Sequence, residues 1–532
     1  MRWNNEKFEK TFEQDIKLRK GVVFESKQQR EIANSLFDQF LLIGVPPNSS
    51  TSPTILAAFP PFVNPNFSLS NVIQFCFPSG TKRHNLVKSN DRTIQDEFIF
   101  QMTSETHTIY GVCVHVLCTK KQSELPFYIS KKTKQNSFCF CLLTRVPSFG
   151  PHFAFLTFLA LTTFGKIPIN NSLPSSIPLM IPISDPIDGL DLSGQFGYHP
   201  SIKIPHYFEI EIAKYFNTKI SSPMISFHKN LECVFPLEET LNGKSALYAS
   251  LDTLFSLLSP IDIIRLVNGL LLDGQILVIG SILHEVSMCI YALQEIIAPF
   301  KFFGTIIPIL PSNDNFFELI NLPTPFLIGV APYPKLKTVT FLESIIFVNL
   351  DKGTISDTKS YPTYPQTEKI ISNLSKLLSQ HKCVEQSLSN GAPSIFLKVL
   401  NHRYRFTPNT SDAICQTILR PFAKYFTEQL CGFFVTDTTT DENGITIFNQ
   451  ELFLAHVPSR ERDFYDNLVN SQTFRMYVEN RIIEFQEKRG IHLSTKADPS
   501  FVQVPEAKGV MRTKALEMEF EDDSNQSTTE SN

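Results

Sequence analysis

Residues 238–245 read EETLNGKS and close on Gly243, Lys244 and Ser245, the ending of a loop that grips phosphate. Such a loop needs glycine at its first position so that successive backbone N–H groups can wrap the anion. Glu238 stands there, and its carboxylate repels phosphate, so the stretch is a false lead. His284 beside Glu285 has the residue types of a general base and its orienting carboxylate, but a histidine on a half-buried helix is expected to be structural. No HExxH, GxSxG or GxGxxG pattern occurs. The ten cysteines contain no CxxC pair, and Cys139 and Cys141 alternate along an apolar run. Buried thiols are therefore expected rather than zinc ligands, with no cofactor and no metal.

The elements around these residues are more informative. Residues 251–330 are rich in apolar side chains but interrupted by Asp262, Arg265, Asp273, His284, Glu285, Glu295 and Lys301, the pattern of a buried core rather than a membrane span. The spacing predicts a helix over 261–273, ended by Gly274. The glycine-bounded run 276–279 predicts a strand covered on both faces, hence a parallel sheet. Ser281 is placed to cap a second helix over 282–298. Helix, buried strand and helix together make an α/β fold.

Upstream, 38–46, 71–80, 96–118 and 138–147 are β-branched and aromatic runs read as strands, with a hairpin at 103–107, followed by a buried helix over 151–164. Residues 146–165 carry no formal charge, but Pro147, Gly150, Pro151 and His152 leave too few helical positions to span a bilayer. Residues 166–205 read as a linker, and the chain beyond 367 turns helical around a polar loop at 436–444. The acidic, serine-rich end is expected to be disordered, and Phe8, Phe12 and Ile16 mark a small docking helix in the charged N-terminal segment. At 532 residues and a net charge of −4, several domains are expected and general nucleic-acid affinity is not. The N-terminal segment lacks an apolar signal core, which points to the cytoplasm.

The order LFSLLSP, a leucine-rich helix, ILVIG, a helix, IPILP at 307–311 and PTPFLIGV at 323–330 resembles the central module of DENN proteins. FPSG at 77–80 and YGVC at 110–113 are similar to the longin-type upstream module of the same family. The resemblance implies a charged segment (1–35), a longin-like upstream module (36–165), the linker (166–205), a central DENN α/β module (206–366), a helical downstream part (367–490) and a tail (491–532). It also implies guanine-nucleotide exchange on a Rab-family small GTPase held between the upstream and central modules; peripheral membrane association, through the stripe of Phe8, Phe12 and Ile16, is a further reading that the balanced charges of that segment disfavour. A non-catalytic scaffold is the alternative, as is a folliculin-type activator of hydrolysis, for which Arg145 is the arginine to inspect. The candidate GTPase contacts are Pro78 and Gly80 of the upstream turn, with Pro323, Thr324 and Pro325 of the central one. Thr324 is expected to be exposed and to line a groove together with the upstream turn.

Overall fold

The structure is a computed structural model. It describes residues 36–45, 52–59, 69–80, 94–103, 108–118, 136–147, 149–163, 197–198, 211–213, 215–216, 224–228, 231–234, 244–312, 318–332, 345–357, 361–388, 408–422, 425–426, 429–437 and 445–488. The expected N-terminal helix, the acidic tail and Glu238 lie outside these residues. The chain divides into a unit of residues 1–479 and a second of 480–532. Among the described residues, the second holds the last turns of one helix, where Arg481 pairs with Glu484.

The fold is mixed α/β, and its first sheet is antiparallel throughout. Its strands are β1 (Gln39–Gly44), β2 (Thr54–Phe59), β3 (Ile94–Thr103), β4 (Thr108–Cys118), β5 (Asn136–Thr144) and β6 (Gly197–Tyr198), in the order β3-β4-β5-β1-β2-β6. Successive side chains alternate between faces. Phe138, Phe140 and Leu142 therefore join Val112, Val114, Val116 and Ile99 under a buried helix, α2 (Phe149–Thr163), while Cys139 and Cys141 point the other way. That second face is covered by α1 (Leu69–Cys76), through Phe75 on Phe100 and Phe77 on His115. Both faces are thus dry.

Here the structure corrects the sequence reading three times. Residues 71–80 are not a strand: Leu69–Cys76 is helical, because Val72, Phe75 and Cys76 recur at helical spacing and are buried while Ile73 and Gln74 are only partly so. Thr54–Phe59 is a strand that its short, alanine-containing sequence did not signal. Gly197–Tyr198, inside the expected linker, pairs with β2.

A small hairpin, β7 (Met224–His228) with β8 (Leu231–Val234), and helix α3 (Lys244–Leu257) precede α4 (Pro260–Leu271). Ser259 caps α4 by accepting from the Asp262 N–H, and Pro260 occupies the first turn, where a missing N–H is harmless. The second sheet holds β9 (Gln275–Ile279), β10 (Thr305–Leu310), β11 (Phe326–Val330), β12 (Ile345–Asn349) and β13 (Thr354–Asp357), in the order β10-β11-β9-β12-β13. The first four spatial neighbours run parallel, and β13 returns antiparallel to β12. As its unbroken apolar run requires, β9 lies between two parallel neighbours with Ile276, Leu277 and Val278 buried. Helix α5 (Leu283–Ile296) links β9 to β10.

The end of α4 differs from expectation. The left-handed residue is Asp273, at φ 52°, and the Gly274 N–H reaches back to the Gly269 carbonyl at 2.7 Å. The carboxylate has a reason to sit there. It accepts from the Gln472 N–H, and from the Thr473 N–H at 3.2 Å and hydroxyl at 2.7 Å, at the start of the last helix, α10 (Gln472–Lys488).

Between 367 and that helix lie α6 (Thr367–Leu388), α7 (Pro408–Phe422), α8 (Gln450–His456) and α9 (Arg462–Asn470). The expected polar loop at 436–444 is flanked by a hairpin, β14 (Phe434–Asp437) with β15 (Ile445–Phe448), which takes up Thr436 and Asp437. Phenylalanines knit this region together: Phe422, Phe426, Phe453 and Phe474 form a ring-on-ring cluster that Phe300, from the chain after α5, enters against Phe422 and Phe426.

Candidate protein-binding surface

Helix α5 carries the junction between the two sheets. Its cap residue, Ile282, has no side-chain acceptor, and Ser281 does not cap as expected. Instead the Ser281 N–H and hydroxyl both donate to Asp351 Oδ1, at 2.9 and 2.7 Å, which ties the loop after β9 to the loop after β12. The orphan amides of α5 are taken by Asp96 of β3: Leu283 N–H to Oδ2 at 3.0 Å and His284 N–H to Oδ1 at 3.4 Å. One turn on, the Ser287 hydroxyl accepts from the Ile99 N–H at 3.2 Å. Tyr291 packs edge-on against Tyr110 and Phe149. Burial pushes the Asp96 carboxyl up to about 6, against the pull of the Leu283 N–H, of His115 and of the Glu97 and His284 N–H groups.

The upstream turn meets the same end of the central sheet. Pro78 is buried, and its carbonyl accepts from the Ser312 N–H, just beyond β10, at 2.6 Å. Gly80 is exposed at φ 67°, and its N–H closes the turn onto the Phe77 carbonyl. A Cβ there would meet nothing within 4 Å, so backbone conformation rather than space selects glycine. The loops after β9, β10 and β12 leave that sheet end together. Ile282 (42% exposed), Asp351, Lys352 and Gly353 therefore form an exposed rim at that end, and Gly80 is exposed in the turn that meets the chain after β10.

The 323–325 turn lies elsewhere. Pro323 is exposed, whereas Thr324, expected to be the exposed position, is half-buried, as is Pro325. Gln275, a buried amide at the start of β9, donates to the Leu322 carbonyl at 2.7 Å and the Thr324 carbonyl at 3.0 Å. The Thr305 N–H donates to the Pro325 carbonyl at 3.0 Å. Pro325 therefore sits at the beginning of β10 and Pro78 at its end, about 20 Å apart for a six-residue strand. The two turns do not line one groove. Sequence reasoning missed Asp96, Gln275 and Ile282 as positioning or rim residues; none stands in a motif, and the first two act through partners far away in the chain.

The remaining candidates make contacts within the fold. Arg145 grips Asp38 through Nε at 3.0 and 3.1 Å and Nη2 at 2.7 Å, a two-pronged ion pair where β1 begins and β5 ends. His284 lies 3.9 Å from Glu97 and edge-on to Phe153. Lys244 and Ser245 open α3. Burial raises the Glu285 carboxyl, with Asp351 adding to it. No single described helix is long and apolar enough to cross a membrane.

Two family models match in the order of the two sheets: the uDENN domain over residues 53–116 and the DENN (AEX-3) domain over residues 215–353. The chain is 22% identical over 469 residues to human DENN domain-containing protein 1B, an alignment spanning 85% of this chain and 50% of that protein. It is 21% identical over 453 residues to DENN domain-containing protein 1A of Xenopus laevis (84% and 36%). Human DENN domain-containing protein 2C aligns at 23% identity over 266 residues (49% and 26%). The chain thus spans half or less of the length of these relatives.

Proposed function

Because this chain is a DENN-domain protein with a uDENN domain preceding its DENN domain, we propose that it is a guanine-nucleotide exchange factor for a Rab-family small GTPase. The observation that carries this reading is that the upstream turn, through the Pro78 carbonyl, meets the chain just after β10 at the sheet end where the exposed Ile282, Asp351, Lys352 and Gly353 also lie. A GTPase seated there contacts the two modules at once, as the family resemblance implies. Exchange breaks no covalent bond. It needs only that the protein bind the nucleotide-free GTPase more tightly than the loaded one, and each tenfold acceleration requires about 1.4 kcal/mol of such preference. An ordinary interface of about 1,200–2,000 Å² total supplies contacts enough. In this reading the protein works in the cytoplasm and reaches membranes through the GTPase it engages.

The test is release of a fluorescent GDP analogue from a panel of Rab, Arf and Ras GTPases. Acceleration is expected with at least one Rab and not with the others. Ile282→Arg, on the rim, slows that release tenfold or more without lowering the melting temperature by more than a few degrees. Thr324→Arg, at the far end of β10, leaves release within about twofold, since its loss is not an interface loss worth 1.4 kcal/mol. A stable nucleotide-free complex with release at the intrinsic rate identifies a scaffold instead. A slow Thr324→Arg beside a normal Ile282→Arg moves the docking face to the 323–325 turn.

A further inference from the structure

Three elements bring cysteines together on the face of the first sheet covered by α1. Cys113 of β4 and Cys141 of β5 are directly paired across the strands, and Cys139, two residues along β5, faces His115 in the same register. Cys76, the last residue of α1, descends onto them, its Sγ 3.7 Å from that of Cys113. The Sγ atoms of Cys76, Cys113 and Cys139 all lie within 4.8 Å of one another, and all four cysteines are fully buried and free.

We propose that Cys76, Cys113 and Cys139 are thiolate ligands of a structural binding site for a thiophilic cation of the zinc class. A zinc–sulfur bond of about 2.3 Å makes each tetrahedral sulfur–sulfur edge about 3.8 Å, which the Cys76–Cys113 pair already matches. The ligands come from a helix end and two paired strands, so their backbone is held before an ion arrives. His115 adds to that hold. Its Nε2–H donates to the Cys76 carbonyl while its ring packs between Phe77 and Phe98, fixing the last turn of α1 against β4.

Plain apolar packing is the competing account, since cysteine fills cores well. It explains an isolated buried thiol such as Cys289 of α5. It gives no reason for sulfurs from three elements to converge. Binding replaces one S–H bond per ligand with an S–metal bond and releases that proton to solvent, and nothing is oxidised or reduced. The site would staple α1, and with it the Phe77–Gly80 turn, to the sheet.

The full chain, purified without chelator, is assayed for metal by elemental analysis and then reloaded with Co²⁺ during refolding. About one equivalent of zinc per chain is expected. The cobalt form should show thiolate-to-metal charge transfer and tetrahedral ligand-field absorption. Cys76→Ser and Cys113→Ser reduce bound metal tenfold or more, whereas Cys289→Ser retains it. Should the serine variants not fold, the stoichiometry and cobalt spectrum of the unaltered chain decide alone. A folded chain that carries no zinc and gives no cobalt–thiolate absorption overturns the site, and so does a Cys76–Cys113 disulfide found by mass spectrometry.

Discussion

The seam between the two sheets and the seam between the central sheet and the C-terminal helices are closed by the same device in different settings. In each, a carboxylate from one segment accepts from the first amides of a helix about two hundred residues away: Asp96 on α5, Asp273 on α10. Asp96 belongs to a strand, needs no special backbone and is almost wholly buried. Asp273 reaches its helix only from a left-handed conformation, at φ 52°, one residue before the glycine that local rules assign to that position. The first seam therefore carries its strain as desolvation of a charge, the second as backbone conformation. A helix terminus is satisfied by whatever acceptor the fold delivers, and the sequence next to it need not provide one.

Removing the buried carboxylate is expected to have the largest effect. Asp96→Ala leaves the Leu283 and His284 amides without their acceptor inside the seam. Loss of a cap and burial of unpaired donors together amount to about 3 kcal/mol. Urea unfolding should show an earlier midpoint, and hydrogen exchange should quicken at those two amides. Unchanged protection there would mean that the seam is held by the packing of Tyr291 rather than by Asp96.

Asp273 offers a smaller and more diagnostic change. Asp273→Ala removes the cap on α10 and keeps a side chain at positive φ, for a loss of about 2 kcal/mol, whereas Asp273→Gly relieves the conformation and loses about 1 kcal/mol. If glycine proves as stable as aspartate in thermal unfolding, the carboxylate contributes nothing and the two seams are not alike.

Acidity distinguishes them further. The folded carboxyl of Asp96 lies at about 6, above the ordinary 3.8, so the folded state holds its proton more firmly than the unfolded chain does. Stability from this group therefore grows as pH falls through 6 and is lost as pH rises through it, by on the order of 1 kcal/mol between pH 7 and 5. His115 and His152 have the opposite sign, because burial lowers both and keeps them neutral in the fold. The comparison is thus between the unaltered chain and Asp96→Asn, which share both histidines. The unaltered chain should gain on the variant as pH drops from 7 to 5, and a constant difference would remove Asp96 as the titrating group.

Much of the fold was readable where burial leaves a local mark. The run at 276–279 is apolar without alternation because β9 has neighbours and cover on both sides. Most of β1, β3, β4 and β5 falls within the 38–46, 96–118 and 138–147 runs, and several of the chain's 47 phenylalanines meet in the ring cluster around Phe426. Residues 71–80 were misread because Val72, Phe75 and Cys76 carry β-type residues at helical spacing, and only the sheet beneath them decides between the two. The site was less legible. Pro78 and Gly80 were found through their turn, but their distance from Pro323, Thr324 and Pro325 depends on which end of β10 each turn adjoins.

By itself, then, the sequence determined the α/β class, the buried parallel strand, the absence of a phosphate-gripping glycine at Glu238 and the two family models that its modules match. These follow from periodicity, turn chemistry and ordered motifs, all of which act over a few neighbouring residues. Tertiary structure alone decided that Asp96 and Asp273 cap distant helices, that Gln275 holds the 323–325 turn, and that Cys76, Cys113 and Cys139 from three elements meet. Hydrogen-bond donors, acceptors and sulfurs are satisfied by proximity in space, and proximity between residues a hundred or more positions apart leaves no periodic trace along the chain.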